Sequence, residues 1–94
     1  MRQKYMRGTF VHISKDLPET MKYYPRDSDA IVDATYSQKY GGPDIDNYSV
    51  YLLDGGKIIN HISWYGVEHL SLLPTQDRDQ AEEMIEEYNL GETT

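Results

Sequence analysis

The residues of this chain best suited to bind a metal or to move a proton are its three histidines, His12, His61 and His69. Zinc sites usually take their ligands from closely spaced histidine pairs or from cysteines. These histidines are widely spaced and the chain contains no cysteine, so the sequence predicts no metal site and no bound cofactor. Glu68 precedes His69, but side chains of adjacent strand residues point to opposite faces. We therefore expect no catalytic pair at these two positions.

Two acidic stretches, residues 27–29 and 44–47, place oxygen-bearing side chains at the alternating spacing of calcium loops. Neither stretch completes the EF-hand pattern, which closes with a glutamate that binds the ion through both oxygens. Aspartate and asparagine also favour turns, because their side chains bond to nearby backbone groups. We interpret both stretches as turns. With no catalytic constellation left, the sequence indicates a protein that is not an enzyme.

Aromatic side chains give the strongest indication of a binding surface, since the chain contains nine tyrosines and one tryptophan. Aromatic rings offer a large contact area to planar or extended ligands, and tyrosine adds a hydroxyl group. The residues that could share such a surface are Tyr36, Tyr40, Tyr51 and Tyr65, together with Trp64. The alternative is that most tyrosines fill half-buried strand positions, which their β-propensity favours.

Acidic charge is concentrated at the C-terminus. The chain has a net charge of −7, and the residues from Thr75 onward contain seven acids and one base, which leaves only −1 for residues 1–74. Four of these acids could form one face that meets a basic partner surface, namely Glu82, Glu83, Glu86 and Glu87. Complementary charge of this kind speeds encounter, although a solvated face is the alternative. Direct nucleic-acid binding is not expected, because it relies on clustered lysine and arginine.

The elements that must position these side chains are five β-strands, predicted from runs of alternating polarity. The predicted strands cover residues 8–13, 29–36, 48–53, 57–65 and 70–72. The first connection is predicted to be long, with one helical turn after Pro18, and residues 37–47 are predicted to be a loop. Asp54-Gly55-Gly56 predicts a hairpin turn, because glycine adopts positive φ without strain.

The pattern also assigns faces to the last two strands. Ile58, Ile62 and Trp64 share one side of the fourth strand and are predicted to face the core, together with Leu70 and Leu72. The opposite side carries Tyr65. We expect Tyr65, Glu68 and His69 to lie where a partner can reach them.

A C-terminal amphipathic α-helix follows Pro74-Thr75. Asp77 and Gln80 form a plausible capping pair, and Gly91 is a plausible stop. An apolar stripe with helical spacing consists of Ala81, Met84, Ile85 and Tyr88. This stripe should pack on the sheet or on a partner.

The five-strand pattern resembles the SH3-like barrel, through its long first loop, its glycine hairpin, its tryptophan late in the fourth strand and its single turn before a short last strand. The segments that carry the resemblance are Gly8–Ile13, Ala30–Tyr36, Tyr48–Leu53, Lys57–Tyr65 and Leu70–Leu73. The run from Tyr36 to Gly42, with Ser63-Trp64-Tyr65, is similar to small SH3-like proteins of the kind that phages encode. The first strand lacks the Ala-Leu-Tyr signature of peptide-binding SH3 domains, so recognition of PxxP motifs is not implied.

These observations predict a mainly β fold, a small SH3-like five-stranded barrel with a C-terminal amphipathic α-helix. Residues 1–74 would form the barrel, and residues 75–94 an acidic helix and tail of the same single domain. We expect a phage or bacterial accessory protein that binds and inhibits a host protein through the aromatic surface and the acidic helix. Exposed edge strands can pair with another copy, so a homodimer is an open alternative.

A second interpretation is the sequestration of a nucleotide or another small ligand. Tyr36, Tyr40, Trp64 and Tyr65 would stack on a base, and loop amides would hold phosphate. Arg7, Arg26 or Lys39 would add positive charge. No stretch approaches the roughly 18 apolar residues of a membrane span, and the N-terminus lacks the apolar region of a secretory signal. We therefore expect a cytoplasmic protein.

Overall fold

The structure, a computed structural model, describes residues 4–42 and 46–92, except for the side chain of Glu92. Its strands are β1 (Phe10–Ile13), β2 (Ser28–Thr35), β3 (Asn47–Asp54), β4 (Lys57–Gly66) and β5 (Leu70–Leu72). Its helices are α1 (Tyr36–Tyr40) and α2 (Arg78–Glu92), with 3-10 turns at Glu19–Met21 and Val67–His69. The prediction of a mainly β chain with a C-terminal helix is confirmed. The predicted turn at residues 44 and 45 lies outside the described residues.

The five strands form one antiparallel sheet in the order β4-β3-β2-β1-β5. The two edges of this sheet are β4 and β5, and no pairing between them closes it within the described residues. The β3–β4 hairpin turns at Gly55 and Gly56, whose φ angles are 60° and 81°. Positive φ at both central residues is the geometry of the two-residue hairpin predicted from the sequence.

One face of the sheet covers the larger hydrophobic cluster. Its fully buried residues include Val11 and Ile13 of β1, and Tyr48 and Val50 of β3. These residues alternate along their strands, in keeping with the alternating polarity from which the strands were predicted. Tyr5 also joins this cluster, because its backbone N–H and that of Lys4 both donate to the hydroxyl of Tyr48. The chain before β1 is therefore part of the core, which strand periodicity did not indicate.

The opposite face of the sheet is covered by α2. Ile31 of β2 and Tyr51 of β3 pack there against Ala81 and Ile85 of the helix, which are 0% and 2% exposed. The predicted helical stripe is thus confirmed, and it packs on its own sheet. At the start of α2, the Asp77 carboxylate accepts a 3.0 Å hydrogen bond from the backbone of Gln80. The predicted stop at Gly91 is wrong, since the helix runs through to Glu92.

Ile58, Ile62 and Trp64 do not share one side of β4 as predicted, because the register between β3 and β4 shifts twice. Ile58 is nevertheless buried and Ile62 packs against the core, as predicted. Tyr48 pairs with Tyr65 while Val50 pairs with Ile62, so β4 carries an extra residue between those pairs. Each extra residue moves the following side chains to the other face of the sheet. Tyr65 is consequently 0% exposed in the core, whereas Trp64 is only half-buried.

Two further predictions, for the core position of Leu72 and for the loop at residues 36–40, are wrong. Leu72 was predicted to be core but is 60% exposed, while Leu70, on the same face, is buried. The difference arises because β5 is a three-residue edge strand and Leu72 ends it. Residues 36–40, predicted as strand end and loop, form α1 instead. Within the described residues, no helix is long and apolar enough to span a membrane.

Candidate functional site

The side chains of Tyr36, Tyr40 and Trp64 contact one another and form the candidate site, which we call the aromatic surface. The ring centroids are 4.9 Å apart for the two tyrosines, 5.3 Å for Tyr36 and Trp64, and 6.0 Å for Tyr40 and Trp64. The rings are tilted or edge-to-face, which is the favourable arrangement for aromatic pairs. Three rings from two separate elements thus make one continuous patch.

The helix α1 exists because its first turn is capped from both directions. The hydroxyl of Thr35 accepts a 3.1 Å hydrogen bond from the backbone of Gln38, and the Gln38 side chain accepts a 2.8 Å bond from the backbone of Thr35. This is a capping box. It winds residues 36 to 40 into one helical turn, which places Tyr36 and Tyr40 on the same side of α1. The Thr-x-x-Gln spacing is the sequence signal that could have revealed this helix.

Trp64 reaches α1 because of the extra residue that β4 carries between its pairs with β3. Two hydrogen bonds between β4 and the β1–β2 loop hold the strand on either side of Trp64. The hydroxyl of Tyr24 donates to the carbonyl oxygen of Ser63 at 3.0 Å. The hydroxyl of Tyr65 donates to the carbonyl oxygen of Pro25 at 2.8 Å. Both neighbours of Trp64 are therefore fixed to one loop.

The exposure of the aromatic surface is uneven. Tyr40 is 68% exposed and Tyr36 is 38% exposed, while Trp64 is half-buried beneath them. Because the rings already touch, no space for a ligand remains between them. The surface can instead pack its outer ring faces and hydroxyl groups against an apolar or planar group of a partner.

A buried carboxylate lies beside α1, and it was not among the residues predicted from the sequence to form a site. Asp33 is 7% exposed and forms ion pairs with Arg7, with Lys39 at 3.5 Å and with His61 at 2.9 Å. The hydroxyl of Ser49 donates a further bond of 3.0 Å to it. The signal in the sequence was an aspartate inside the apolar run of β2, since buried carboxylates are rare unless they are paired.

The charge state of Asp33 follows from these partners. Burial by itself would raise the pKa of Asp33, but hydrogen bonds from His61 and Ser49, with the positive charges of His61 and Lys39, lower that pKa from 3.8 to about 2. The carboxylate is therefore ionised at neutral pH. It holds the N-terminal segment and α1 through the opposite charges of Arg7 and Lys39, and β4 through its hydrogen bond with His61.

Two of the tyrosines predicted to bind a ligand lie away from the aromatic surface. Tyr51 is 6% exposed and packs between His61, at 4.7 Å, and Tyr88 of α2, at 5.9 Å between ring centroids. Tyr65 is fully buried and meets the edge of the Tyr24 ring at 5.4 Å. Both side chains are buried in the hydrophobic clusters, so neither presents a ring to solvent.

The other predicted site residues lie on separate elements. Glu68 and His69 belong to the 3-10 turn before β5, where His69 Nε2 is 3.3 Å from Glu68 Oε1. Their side chains meet, contrary to the expectation for neighbours on a strand, because a 3-10 turn does not alternate faces. The four glutamates of the acidic face are exposed on α2, namely Glu82, Glu83, Glu86 and Glu87. Glu82 also lies 3.5 Å from the Arg7 guanidinium.

Among the described residues, no group of three or more histidine or acidic side chains is arranged to hold a metal ion. Comparison with protein-family models, curated proteins and solved structures finds no match. The site must therefore be understood from its own geometry. That geometry consists of an exposed aromatic surface on α1 and β4, with a buried ion-pair network beneath one end of α1.

Proposed function

We propose that this chain is a non-enzymatic binding module whose recognition surface is the aromatic surface formed by Tyr36, Tyr40 and Trp64. The observation that carries the proposal is the contact of these three rings, with Tyr40 left 68% exposed. Exposed aromatic side chains held on rigid elements are typical anchors of protein interfaces. The capping box fixes α1 before binding, so little conformational entropy is lost on association.

The fold proposed for this module is an SH3-like one. Support comes from the strand order β4-β3-β2-β1-β5, the long β1–β2 connection, the glycine hairpin and the 3-10 turn before β5. Nuclear Overhauser contacts between β4 and β5, the two edge strands, would establish a closed barrel. Their absence would leave an open sheet.

The proposed partner is a protein, in line with a phage or bacterial accessory protein that inhibits a cytoplasmic host factor. An apolar anchor suits a protein interface centre, where aromatic residues are enriched and lysine and glutamate are depleted. The acidic face of α2 would then steer a basic partner before contact, because long-range charge mainly accelerates encounter. Salt should slow association more than it weakens the final complex.

A matched pair of tyrosine variants tests this proposal. Tyr40 and Tyr23 are both exposed, at 68% and 89%, and only Tyr40 belongs to the aromatic surface. Wild-type protein, Tyr40→Ser and Tyr23→Ser would be used to capture partners from bacterial lysate. We expect a stoichiometric protein with wild type and Tyr23→Ser that is lost with Tyr40→Ser. Equal recovery with all three proteins, or with none, would refute the proposal.

A second candidate is nucleotide sequestration, which the position of Lys39 favours. Lys39 lies in α1 between the two tyrosines in sequence, and its side chain is 36% exposed. Its ammonium already lies 3.5 Å from Oδ2 of Asp33, and its partial exposure would leave it open to a phosphate group of a base stacked on Tyr40. By contrast, Arg26 donates to the carbonyl oxygens of Met21 and Lys22 within its own loop.

Thermal-shift measurements separate the two candidates. A nucleotide that binds only the native state raises the melting temperature by mass action. That rise should disappear in both Tyr40→Ser and Lys39→Met. A flat response across purine and pyrimidine nucleotides would exclude this candidate and leave the protein-binding proposal untouched.

A further inference from the structure

His12 lies between two carboxylates at the base of the β1–β2 loop. Its Nδ1 is 2.8 Å from Oδ1 of Asp29, and its Nε2 is 3.2 Å from Oδ1 of Asp27. Asp29 is held opposite His12 by the pairing of β1 with β2. Asp27 adopts a positive φ of 51°, which brings its side chain back toward the ring. Both nitrogens of one imidazole therefore face acceptors.

This arrangement requires a particular protonation state of His12. A neutral imidazole has one N–H donor, and an ionised carboxylate can only accept. In the neutral form, one ring nitrogen would direct its lone pair at a carboxylate oxygen, which is repulsive. Both contacts are attractive only when His12 carries two protons and a positive charge. Binding of the proton and closure of this arrangement are thus linked.

His12 lies in β1 just before the loop of residues 14–27, and Asp27 ends that loop, so their contact links the two sides of its base. The backbone N–H of Asp27 donates to the carbonyl oxygen of Ser14 at 3.2 Å, directly beside the His12–Asp27 contact. The loop also carries Tyr24 and Pro25, which bond to the neighbours of Trp64 on β4. The base of the loop is therefore connected to the support of the aromatic surface.

The charged groups around His12 come from every neighbouring element. A groove of about 400 Å³ runs past the ring and is lined by Lys15 and Asp16 from the loop, and by Glu68 and His69 from the 3-10 turn. On β5, the residue paired with His12 is the uncharged Ser71. With Asp27 and Asp29 included, carboxylates outnumber the one lysine. The surroundings therefore favour the charged form of the imidazole.

We propose that His12 is a protonation-dependent clasp that closes the base of loop 14–27 and thereby controls how firmly Trp64 is supported. The coupling to Trp64 gains functional meaning from the proposed role of the aromatic surface, whereas the clasp itself does not depend on it. Hydrogen bonding to Asp29 raises the pKa of His12 above its ordinary value of 6.5, and Asp27 acts in the same direction. A raised pKa means that the clasp is fully closed below about pH 6.5 and loosens as pH rises through the folded-state value.

Two independent measurements on the free protein test the clasp. The first measurement is an NMR titration that gives the pKa of His12. The second is the protection of the Asp27 amide against solvent exchange, from about pH 5 to about pH 8. The pKa of His12 differs between the closed and the open loop. Linkage requires the protection factor of the Asp27 amide to fall tenfold for each pH unit of that difference. The indole N–H resonance of Trp64 should shift with the same midpoint.

Single-residue variants provide the controls. His12→Gln should leave the Asp27 amide weakly protected at every pH, and Asp29→Asn should lower the pKa of His12. His69→Gln, in the same groove, should behave as wild type. The proposal is overturned if His12 titrates at or below 6.5, if Asp27 protection is independent of pH, or if the Trp64 resonance does not follow His12. Because no partner is present, none of these outcomes depends on the proposed binding function.

Discussion

The ammonium group of Lys39 lies 3.5 Å from Oδ2 of Asp33, so α1 is ion-paired to a buried carboxylate of β2. The same helix presents Tyr36 and Tyr40 to solvent. A single five-residue helix therefore connects the exposed aromatic surface to the buried charge network. Changes at Asp33 should be detectable at the aromatic surface, although Asp33 itself is inaccessible to a partner.

Substitution of Asp33 by asparagine should destabilise the fold at neutral pH. The pKa of Asp33 falls from 3.8 to about 2 on folding, which corresponds to about 1 to 2 kcal/mol once partial solvent access to Arg7 and Lys39 is allowed for. Because the folded-state pKa is lowered, this stability is present above about pH 4 and is lost as pH falls toward about 2. Urea unfolding at several pH values would measure it.

The control for this experiment is Asp16→Asn, at an exposed position in the β1–β2 loop. It should leave the acid dependence of stability intact. An Asp33→Asn protein that loses stability between pH 4 and pH 2 as steeply as wild type would contradict the assignment of that dependence to Asp33.

Removal of the Tyr65 hydroxyl should have two effects. Tyr65→Phe leaves the carbonyl oxygen of Pro25 without its 2.8 Å donor, at a cost of about 1 kcal/mol. Burial also raises the pKa of Tyr65 from 10.0 to about 12. The protonated phenol of Tyr65 therefore stabilises the fold fully below about pH 10. This contribution to the free energy of unfolding is lost between about pH 10 and 12. Alkaline unfolding should therefore be less steep in Tyr65→Phe.

The matched control is Tyr23→Phe, since Tyr23 is 89% exposed. Absorbance titration of the phenols, combined with unfolding curves, would separate the two positions. Identical alkaline curves for wild type and Tyr65→Phe would show that Tyr65 does not govern this transition.

The capping box at Thr35 should determine whether α1 forms. Thr35→Ala removes the acceptor for the Gln38 backbone, and loss of such a cap costs about 1 kcal/mol. Carbon chemical shifts of residues 36–40 should move toward coil values, and contacts between Tyr40 and Trp64 should weaken. Thr35→Ser keeps the hydroxyl and should preserve the helix. Unchanged shifts in Thr35→Ala would mean that packing alone maintains α1.

Docking of α2 should depend on its buried stripe. Ile85 is 2% exposed, so Ile85→Ala should cost about 2 to 4 kcal/mol by leaving a cavity under the helix. Leu90 on the same helix is 61% exposed, and Leu90→Ala should change stability by no more than about 0.5 kcal/mol. Chemical denaturation would measure the free energy of unfolding of the two variants. Equal effects would contradict the packing of this face of α2 on the sheet.

Local sequence patterns were reliable for β1 and β3 but not for the end of β5, where Leu72 is exposed. The faces of β1 and β3, the glycine hairpin and the apolar stripe of α2 all follow from period and turn chemistry. The same reasoning failed on β4, because an inserted residue reverses the alternation and nothing local marks its position. That failure put Trp64 in the predicted core and Tyr65 on the predicted surface.

The sequence by itself determined a mainly β chain, its hairpin and its amphipathic C-terminal helix, since these depend on neighbours along the chain. Only the tertiary structure decided which aromatic residues share a surface. Tyr40 and Trp64 meet through the register of β3 with β4, and Asp33 gathers Arg7, Lys39 and His61 from distant segments. Such contacts between residues far apart in sequence are set by strand register and packing, which local periodicity does not encode.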